Sequence, residues 1–246
     1  MFRFLRSVWI WAATATLVLL WVPLLGVVRL FDGDPRRLRT GRWFRMLGRS
    51  LARVNPWRVH VSGGEHVDAN QVYVVVSNHQ SFADIPVISH LKLDTKWLGK
   101  VELFRMPVLG WMCRMAGDVR IDRTDRRKGA VAMLQCARYL RQRVSVVLFP
   151  EGTRSPDGNV LPFSEGPFQL AIREHVPILP LVVEGSSDAL PRDSWMFGGA
   201  RDIHLRILDA VSVDGWNIKQ APALRDAVRQ RIVDELERLR GTARAS

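Results

Sequence analysis

The sequence predicts an α/β fold: a mostly parallel central sheet flanked by helices, with a two-helix hydrophobic and amphipathic membrane anchor at the amino end. Three observations point to it. Residues 71–77 (QVYVVVS), 144–149 (VSVVLF) and 178–184 (ILPLVVE) are short β-branched runs of the kind a sheet buries on both faces. Stretches of helical length separate these runs, and strands alternating with helices imply parallel neighbours joined by crossovers. Residues 7–28 are 22 consecutive positions without a formal charge, about the length a helix needs to cross a hydrocarbon core.

The elements follow in order. The apolar run 7–28 is bracketed by Arg3 and Arg6 before it and by Arg29, Arg36 and Arg37 after it, so flanking charge sets no orientation. A secretory signal fits poorly, because the only small-x-small site, Ala13-Thr14-Ala15, lies inside the apolar run. Pro23 and Gly26 weaken a straight helix at its far end, which also suits a helix that dips into one leaflet. In the next segment Phe44, Leu47, Leu51 and Val54 share one helical face, with Arg42, Arg45, Arg49 and Arg53 opposite. That pattern reads as a helix lying in the membrane interface, with a core-packed helix as the ordinary alternative. Gly63-Gly64 marks the passage to the globular part, giving an anchor over residues 1–58 and an α/β domain over 59–246. Within the domain, the expected order is strand 71–77, helix 85–93, an interrupted helical stretch 103–115 and strand 118–121. Helix 126–142, strand 144–149, helix 168–175 and strand 178–184 come next, then strand 203–208 and an amphipathic helix 223–240.

Composition narrows the function classes. Hydrophobic residues at 47% and charged residues at 24% describe a globular chain. Cys113 and Cys136 stand outside any CxxC or His-rich setting, which argues against a structural zinc site or a disulfide framework and suits a reducing compartment. Of the net charge of +12, residues 1–58 carry +9, from eleven arginines against Asp32 and Asp34. Charge concentrated beside the most apolar stretch points to anionic lipid headgroups rather than to nucleic acid.

In open α/β sheets ligands bind beyond the carboxyl ends of the strands, so polar motifs there are the candidates for chemistry. Asn78-His79-Gln80-Ser81-Phe82-Ala83-Asp84 follows the first strand. A histidine there can act as general base if a carboxylate fixes its tautomer. His79 and Asp84 converge only if the histidine lies in the turn and the aspartate in the first turn of the next helix. Ser81-x-x-Asp84 is also a capping-box pattern, so Asp84 has a purely structural alternative. The second motif, Phe149-Pro150-Glu151-Gly152-Thr153-Arg154-Ser155, ends another strand. Gly152 permits close backbone approach, Thr153 and Ser155 offer hydroxyls, and Arg154 offers a planar fork suited to phosphate. Glu151 could accept from a hydroxyl or position Arg154; an isolated EGT would be a polar turn. With no G-x-S-x-G elbow, no Walker loop and no GxGxxG, neither a serine nucleophile nor a nucleotide site is indicated.

Together the two motifs resemble the glycerolipid acyltransferase family. The resemblance rests on NHQSFAD as its first block, Gly117 with Ile121-Asp122-Arg123 as its second, FPEGTRS as its third and Val176-Pro177-Ile178-Leu179-Pro180 as its fourth, in the family's order. It implies that His79 deprotonates an acceptor hydroxyl while Asp84 orients it, and that the hydroxyl attacks an acyl thioester directly. It implies substrate-binding roles for Arg123, Glu151, Gly152, Thr153 and Arg154, and Lys100 lies where the family often carries basic residues. Where many members have a lysine between Phe and Gly after the third block, this chain reads Phe163-Ser164-Glu165-Gly166.

The family's best-known activity implies lysophosphatidic acid as acceptor, acyl-CoA or acyl carrier protein as donor, and phosphatidic acid as product. It requires no cofactor, metal or nucleic acid, and it implies work at the bilayer, on the cytoplasmic face of the inner (plasma) membrane. The rival readings are transfer to another lysophospholipid or an amino-acid-linked lipid, thioester hydrolysis, and a non-catalytic basic protein of the membrane surface or of nucleic acid.

Overall fold

The computed structural model describes residues 2–245. Two helices open the chain: α1 (Phe2–Leu30) and α2 (Leu38–Val54). The strands are β1 (Trp57–Ser62), β2 (Val74–Ser77), β3 (Thr95–Lys100), β4 (Val119–Ile121), β5 (Ser145–Leu148), β6 (Ile178–Glu184) and β7 (Arg201–Ile207). Between them lie α3 (Asp84–Ile88), α4 (Val101–Arg105), α5 (Leu109–Ala116), α6 (Arg126–Arg141), α7 (Gly166–Glu174) and α8 (Ser186–Ala189), and α9 (Ala221–Ala245) closes the chain.

The sheet order is β1-β7-β6-β2-β5-β3-β4. The β6–β7 pairing is antiparallel and every other pairing is parallel. Alternation along the central strands builds two cores. Val74, Val76, Val146, Leu148, Ile178 and Val182 face one side, where α6, α7 and α9 pack. Tyr73, Val75, Val147, Leu179, Leu181 and Val183 face the other, with Val87 and Ile88 of α3. Each such side chain withdrawn from water contributes about 1.5–3 kcal/mol, so the central strands hold the two motif-bearing loops on a stiff base.

The structure adds two strands that the apolar pattern did not announce. β1 straddles position 58 and precedes Gly63-Gly64, yet it pairs with β7 along its whole length. It is largely exposed apart from Trp57, so it lacks the apolar signature of a central strand. β3 carries two lysines, Lys96 and Lys100, and still lies inside the sheet between β5 and β4. The helix expected over 85–93 closes early at Ile88. The stretch 103–115 divides into α4 and α5 around Pro107 and Val108, and Val108 has a positive φ of 67°, rare for a β-branched residue.

The amino-terminal helices differ from expectation in one respect. The arginine face of α2 turns only partly outward: Arg42 and Arg53 are exposed, whereas Arg45 and Arg49 face the protein. Arg45 is buried, paired with Asp118, and lies over the ring of Trp97 with 4.8 Å to its centroid. Arg42 pairs with Asp94, and Arg49 donates to the Ser89 carbonyl. The apolar stripe packs instead against α1 and α5, with Leu47, Leu25 and Met112 at its centre. α2 is therefore the seam between α1 and the α/β domain, and Arg42, Arg45 and Arg49 meet protein partners there, while Arg39 and Arg53 stay exposed.

α1 is long and apolar enough to cross a membrane, and most of it is exposed, including Trp9, Leu19, Leu20 and Leu30. It is nevertheless tied to the rest of the chain along its length. Arg6 donates to the Gly198 carbonyl, Ser7 Oγ accepts from Phe197 N, Trp11 donates to the Trp195 carbonyl and Trp21 to that of Trp43.

Candidate active site

β2 and β5 are adjacent parallel strands, so the loops that follow them leave the sheet side by side. That adjacency brings together two motifs about 70 residues apart in sequence. His79 lies in the turn after β2, and Asp84 is the first residue of α3. The His79 Nδ1 to Asp84 Oδ2 distance is 2.7 Å. Oδ2 also accepts from Gln80 N at 2.8 Å and Ser81 N at 3.0 Å, and the residue is fully buried. The capping role and the histidine contact are thus held by one oxygen at once, and neither excludes the other. With the Nδ1 proton directed at Asp84, Nε2 is left as the basic nitrogen. It makes no hydrogen bond among the described residues, and the side chain is 14% exposed.

The loop after β5 grips the histidine from its other side. Glu151 Oε1 accepts from His79 N at 2.8 Å, and Ser155 N donates to the His79 carbonyl at 2.7 Å, so both backbone groups of His79 are held by one loop. The Phe149 ring stacks on the imidazole, with centroids 4.1 Å apart and planes 23° off parallel. The other oxygen of Glu151 accepts from Leu161 N at 3.0 Å. Both carboxylate oxygens are therefore engaged by main-chain donors, where the sequence suggested contact with substrate. Burial, opposed by those two N–H groups, pushes the Glu151 carboxyl up to about 7.

Asn78, which sequence reasoning quoted without a role, locks the end of β2 to β6. Its amide donates to the Val183 carbonyl and accepts from Val183 N. Gln80 reaches the Gly158 carbonyl, and Ser81 Oγ that of Leu190. The signal for all three was their place in the same block as His79. Nothing local told which partners they would find across the sheet.

The basic residues lie around the same turn. Gly152 has a φ of +78°, and a Cβ built there would come within 2.6 Å of Arg123 Nη1. Only glycine lets the turn adopt this conformation with the Arg123 guanidinium lying against it. Arg154 covers the Phe82 ring with 4.1 Å to its centroid and donates to the Arg192 carbonyl, while Arg192 donates back to the Arg154 carbonyl. Burial first, and the neighbouring Arg192 charge second, hold the Arg154 pKa below its ordinary value. Thr153 is half-buried between Gly152 and Arg154. Lys100 ends β3 opposite Ile121 with its side chain exposed, and among the described residues it bonds to none of this set.

The arrangement offers a base with a fixed tautomer beside a cluster of guanidinium groups. Both cysteines are buried free thiols that burial pushes up to about 12, which removes them as nucleophiles. Among the described residues no group of three His, Cys, Asp or Glu side chains is placed to hold a metal ion.

Comparison with known proteins bears on the same region. Residues 58–184, which span both motifs, match the acyltransferase family model. A mouse protein named 1-acyl-sn-glycerol-3-phosphate acyltransferase alpha is 37% identical over 174 residues, covering 70% of this chain and 61% of its own length. A chloroplastic 1-acyl-sn-glycerol-3-phosphate acyltransferase of Brassica napus is 32% identical over 186 residues, covering 74% of this chain and 54% of its own. The chain thus spans a little over half the length of these curated relatives. The crystal structure of the 1-acyl-sn-glycerophosphate acyltransferase of Thermotoga maritima shares the fold, with a TM-score of 0.82 at 24% identity over 97% of this chain and 98% of that one.

Proposed function

Because the chain belongs to the acyltransferase family, we propose that it transfers a fatty acyl group from the thioester of acyl-CoA or acyl carrier protein to the sn-2 hydroxyl of 1-acyl-glycerol-3-phosphate. The product is phosphatidic acid, for phospholipid biosynthesis, and the names of the relatives above favour this acceptor. The observation that carries the reading is the 2.7 Å bond from His79 to buried Asp84, with Nε2 left unbonded among the described residues.

In this mechanism His79 Nε2 takes the proton of the acceptor hydroxyl as its oxygen attacks the thioester carbonyl carbon. The tetrahedral intermediate collapses by breaking the C–S bond, and the imidazolium returns the proton to the departing thiolate. Asp84 keeps the proton on Nδ1 and stabilises the imidazolium while it exists. Glu151 and Ser155 hold the His79 backbone, and Phe149 fixes the plane of the ring. Glu151 is thus a positioning residue. Arg154 and Arg123 meet the acceptor's phosphate, where bidentate guanidinium contacts give strong, oriented binding.

The enzyme works at a membrane. An exposed apolar α1 that is tied to the domain at residues 6, 7 and 11 and to α2 at residue 21 suits a helix lying in one leaflet. We place the active site on the cytoplasmic face of the inner (plasma) membrane, where acyl thioesters are available. Washing membranes with high salt is expected to leave the protein bound, and its full release would overturn this anchoring.

The deciding experiment supplies the full chain in phospholipid vesicles with labelled acyl-CoA or acyl carrier protein and a panel of lysophospholipids. Phosphatidic acid from lysophosphatidic acid is the expected product. Acylation confined to another lysophospholipid would overturn the acceptor, and acceptor-independent release of fatty acid would overturn transfer itself.

A further inference from the structure

A second pocket opens where the amino end of α1 meets the start of β7. It has a volume of about 390 Å³ and shares no lining residue with the His79 site. Three arginines line it, Arg3, Arg6 and Arg201, against a single acid, Asp188, with Gly198-Gly199 forming part of its wall. Several exposed arginines of this chain take acidic partners: Arg42 pairs with Asp94, Arg58 with Asp202 and Arg141 with Glu174. Among the described residues, none of the three pocket arginines has an ion-pair partner. Arg6 donates through Nη2 to the Gly198 carbonyl at 2.6 Å, while its Nε is buried without any partner. Three arginines lining one open space against one carboxylate leave it net positive, which favours an anion there.

The surroundings indicate which anion. Phe2, Phe4, Leu5 and Trp9, all exposed, continue from the pocket onto the apolar surface of α1. Trp195, half-exposed, packs edge-on against Phe4 at 5.4 Å, and its carbonyl accepts from Trp11. Tryptophans beside arginines at the end of an apolar helix mark the depth of lipid headgroups. The volume is that of a small-ligand site, enough for a phosphate with its glycerol rather than for a bare ion alone.

We propose that this pocket binds the phosphate of an anionic membrane phospholipid, separately from the acceptor. The guanidinium forks hold the phosphate oxygens, and the acyl chains lie along α1.

The test uses the full chain in detergent, titrated with dihexanoyl phosphatidylglycerol below its micelle concentration and followed by native mass spectrometry. Dihexanoyl phosphatidylcholine and inorganic phosphate are titrated in parallel. One saturable molecule of the phosphatidylglycerol is expected, weakened about tenfold or more by Arg201→Ala and by Arg3→Ala, the loss of one charge-assisted contact. Arg231→Ala, an equal loss of charge on an exposed part of α9, is expected to leave binding unchanged. So is Arg154→Ala, which keeps this result independent of the acceptor site and of any turnover. Unchanged affinity in Arg201→Ala and Arg3→Ala would overturn the site. Loss of binding in Arg154→Ala would move it to the acceptor pocket, and equal affinity for inorganic phosphate or phosphatidylcholine would overturn the anionic lipid. The Arg3 side chain has no hydrogen bond in the described structure, so that variant tests the proposal even if Arg201→Ala fails to fold.

Discussion

Two buried ionic clusters lie in this fold, and they are built to opposite ends. At the carboxyl edge of the sheet, His79, Asp84 and Glu151 meet across the loops after β2 and β5. At the seam with α2, Lys96, Asp118 and Arg45 meet between β3 and the amino-terminal helices. There the Lys96 ammonium donates to the carbonyls of Ala116 and Arg37. Asp118 takes Arg45 on one oxygen and Trp97 N on the other, and Arg45 is covered by Phe44 and Trp97. The seam spends its charges on protein partners, though Arg45 Nε is buried without one among the described residues. Among the described residues the first cluster leaves Asp84 Oδ1 buried without a partner and the part-exposed ring nitrogen His79 Nε2 without one as well. Burial and charge pairing alone therefore do not mark a reactive centre; a titratable atom held in place and left unsatisfied does.

The comparison breaks most sharply under two substitutions. His79→Ala removes the proposed base and should lower turnover roughly a thousandfold, within the range general bases contribute. Its melting temperature should stay close to that of the parent protein, because among the described residues the imidazole makes only one side-chain hydrogen bond. Asp118→Ala should do the reverse. It strands a buried guanidinium and leaves Trp97 N without its acceptor, at a cost of about 3–5 kcal/mol in stability. Turnover per folded molecule should hold near the parent value. Denaturant melts beside acyl-transfer assays on both variants separate the two outcomes. A large fall in turnover for a folded Asp118→Ala protein would make the seam part of the site.

A smaller effect sharpens the same contrast from within the proposed active site. Glu151→Gln replaces one acceptor with an amide donor facing either His79 N or Leu161 N. One buried N–H is then left unpaired, at about 1–3 kcal/mol. If Glu151 positions the histidine, kcat should fall with the acceptor's KM little changed. A rise in KM alone would return Glu151 to the substrate-binding set that its motif suggested.

How much of this could be read from the sequence follows from which signals are local. β2, β5 and β6 were legible because central strands buried on both faces concentrate valine, isoleucine and leucine. β1 was hidden by its exposed polar positions, and β3 by its lysines, since Lys96 is only 1% exposed and nothing in TKWLGK foretells that. His79 and Asp84 could be paired because they are five residues apart and a turn leading into a helix closes the gap. The double hold of Glu151 and the Phe149 stack could not, because they depend on β2 lying beside β5, and strand order is written in no local pattern. The arginine stripe of α2 is legible as a stripe, yet two of its arginines, Arg45 and Arg49, turn to the protein while Arg42 and Arg53 stay exposed. Periodicity gives a face, and only the tertiary structure says what the face meets.

The most delicate measurement is the pH dependence of stability, where the two clusters should pull in opposite directions. Burial raises Glu151 from 4.5 to about 7, so between those values the folded chain holds a proton that the unfolded chain has lost. Stability then falls as pH rises through that window, because the slope follows the protons bound by the unfolded state minus those bound by the folded state. Burial lowers Lys96 from 10.5 to about 8, with the Asp118 charge opposing it. Between pH 8 and 10.5 the unfolded chain holds the extra proton, and this group's contribution rises with pH. Melting temperatures measured from pH 5 to 10 for the parent protein, Glu151→Gln and Lys96→Met should show each variant flattening one limb only, Glu151→Gln the acidic and Lys96→Met the alkaline. A Lys96→Met curve parallel to the parent above pH 8 would mean that the seam lysine keeps its proton throughout. The seam would then be an ion cluster as fixed in charge as it is in geometry, and of the two clusters only the one at the proposed active site would carry a titrating buried group.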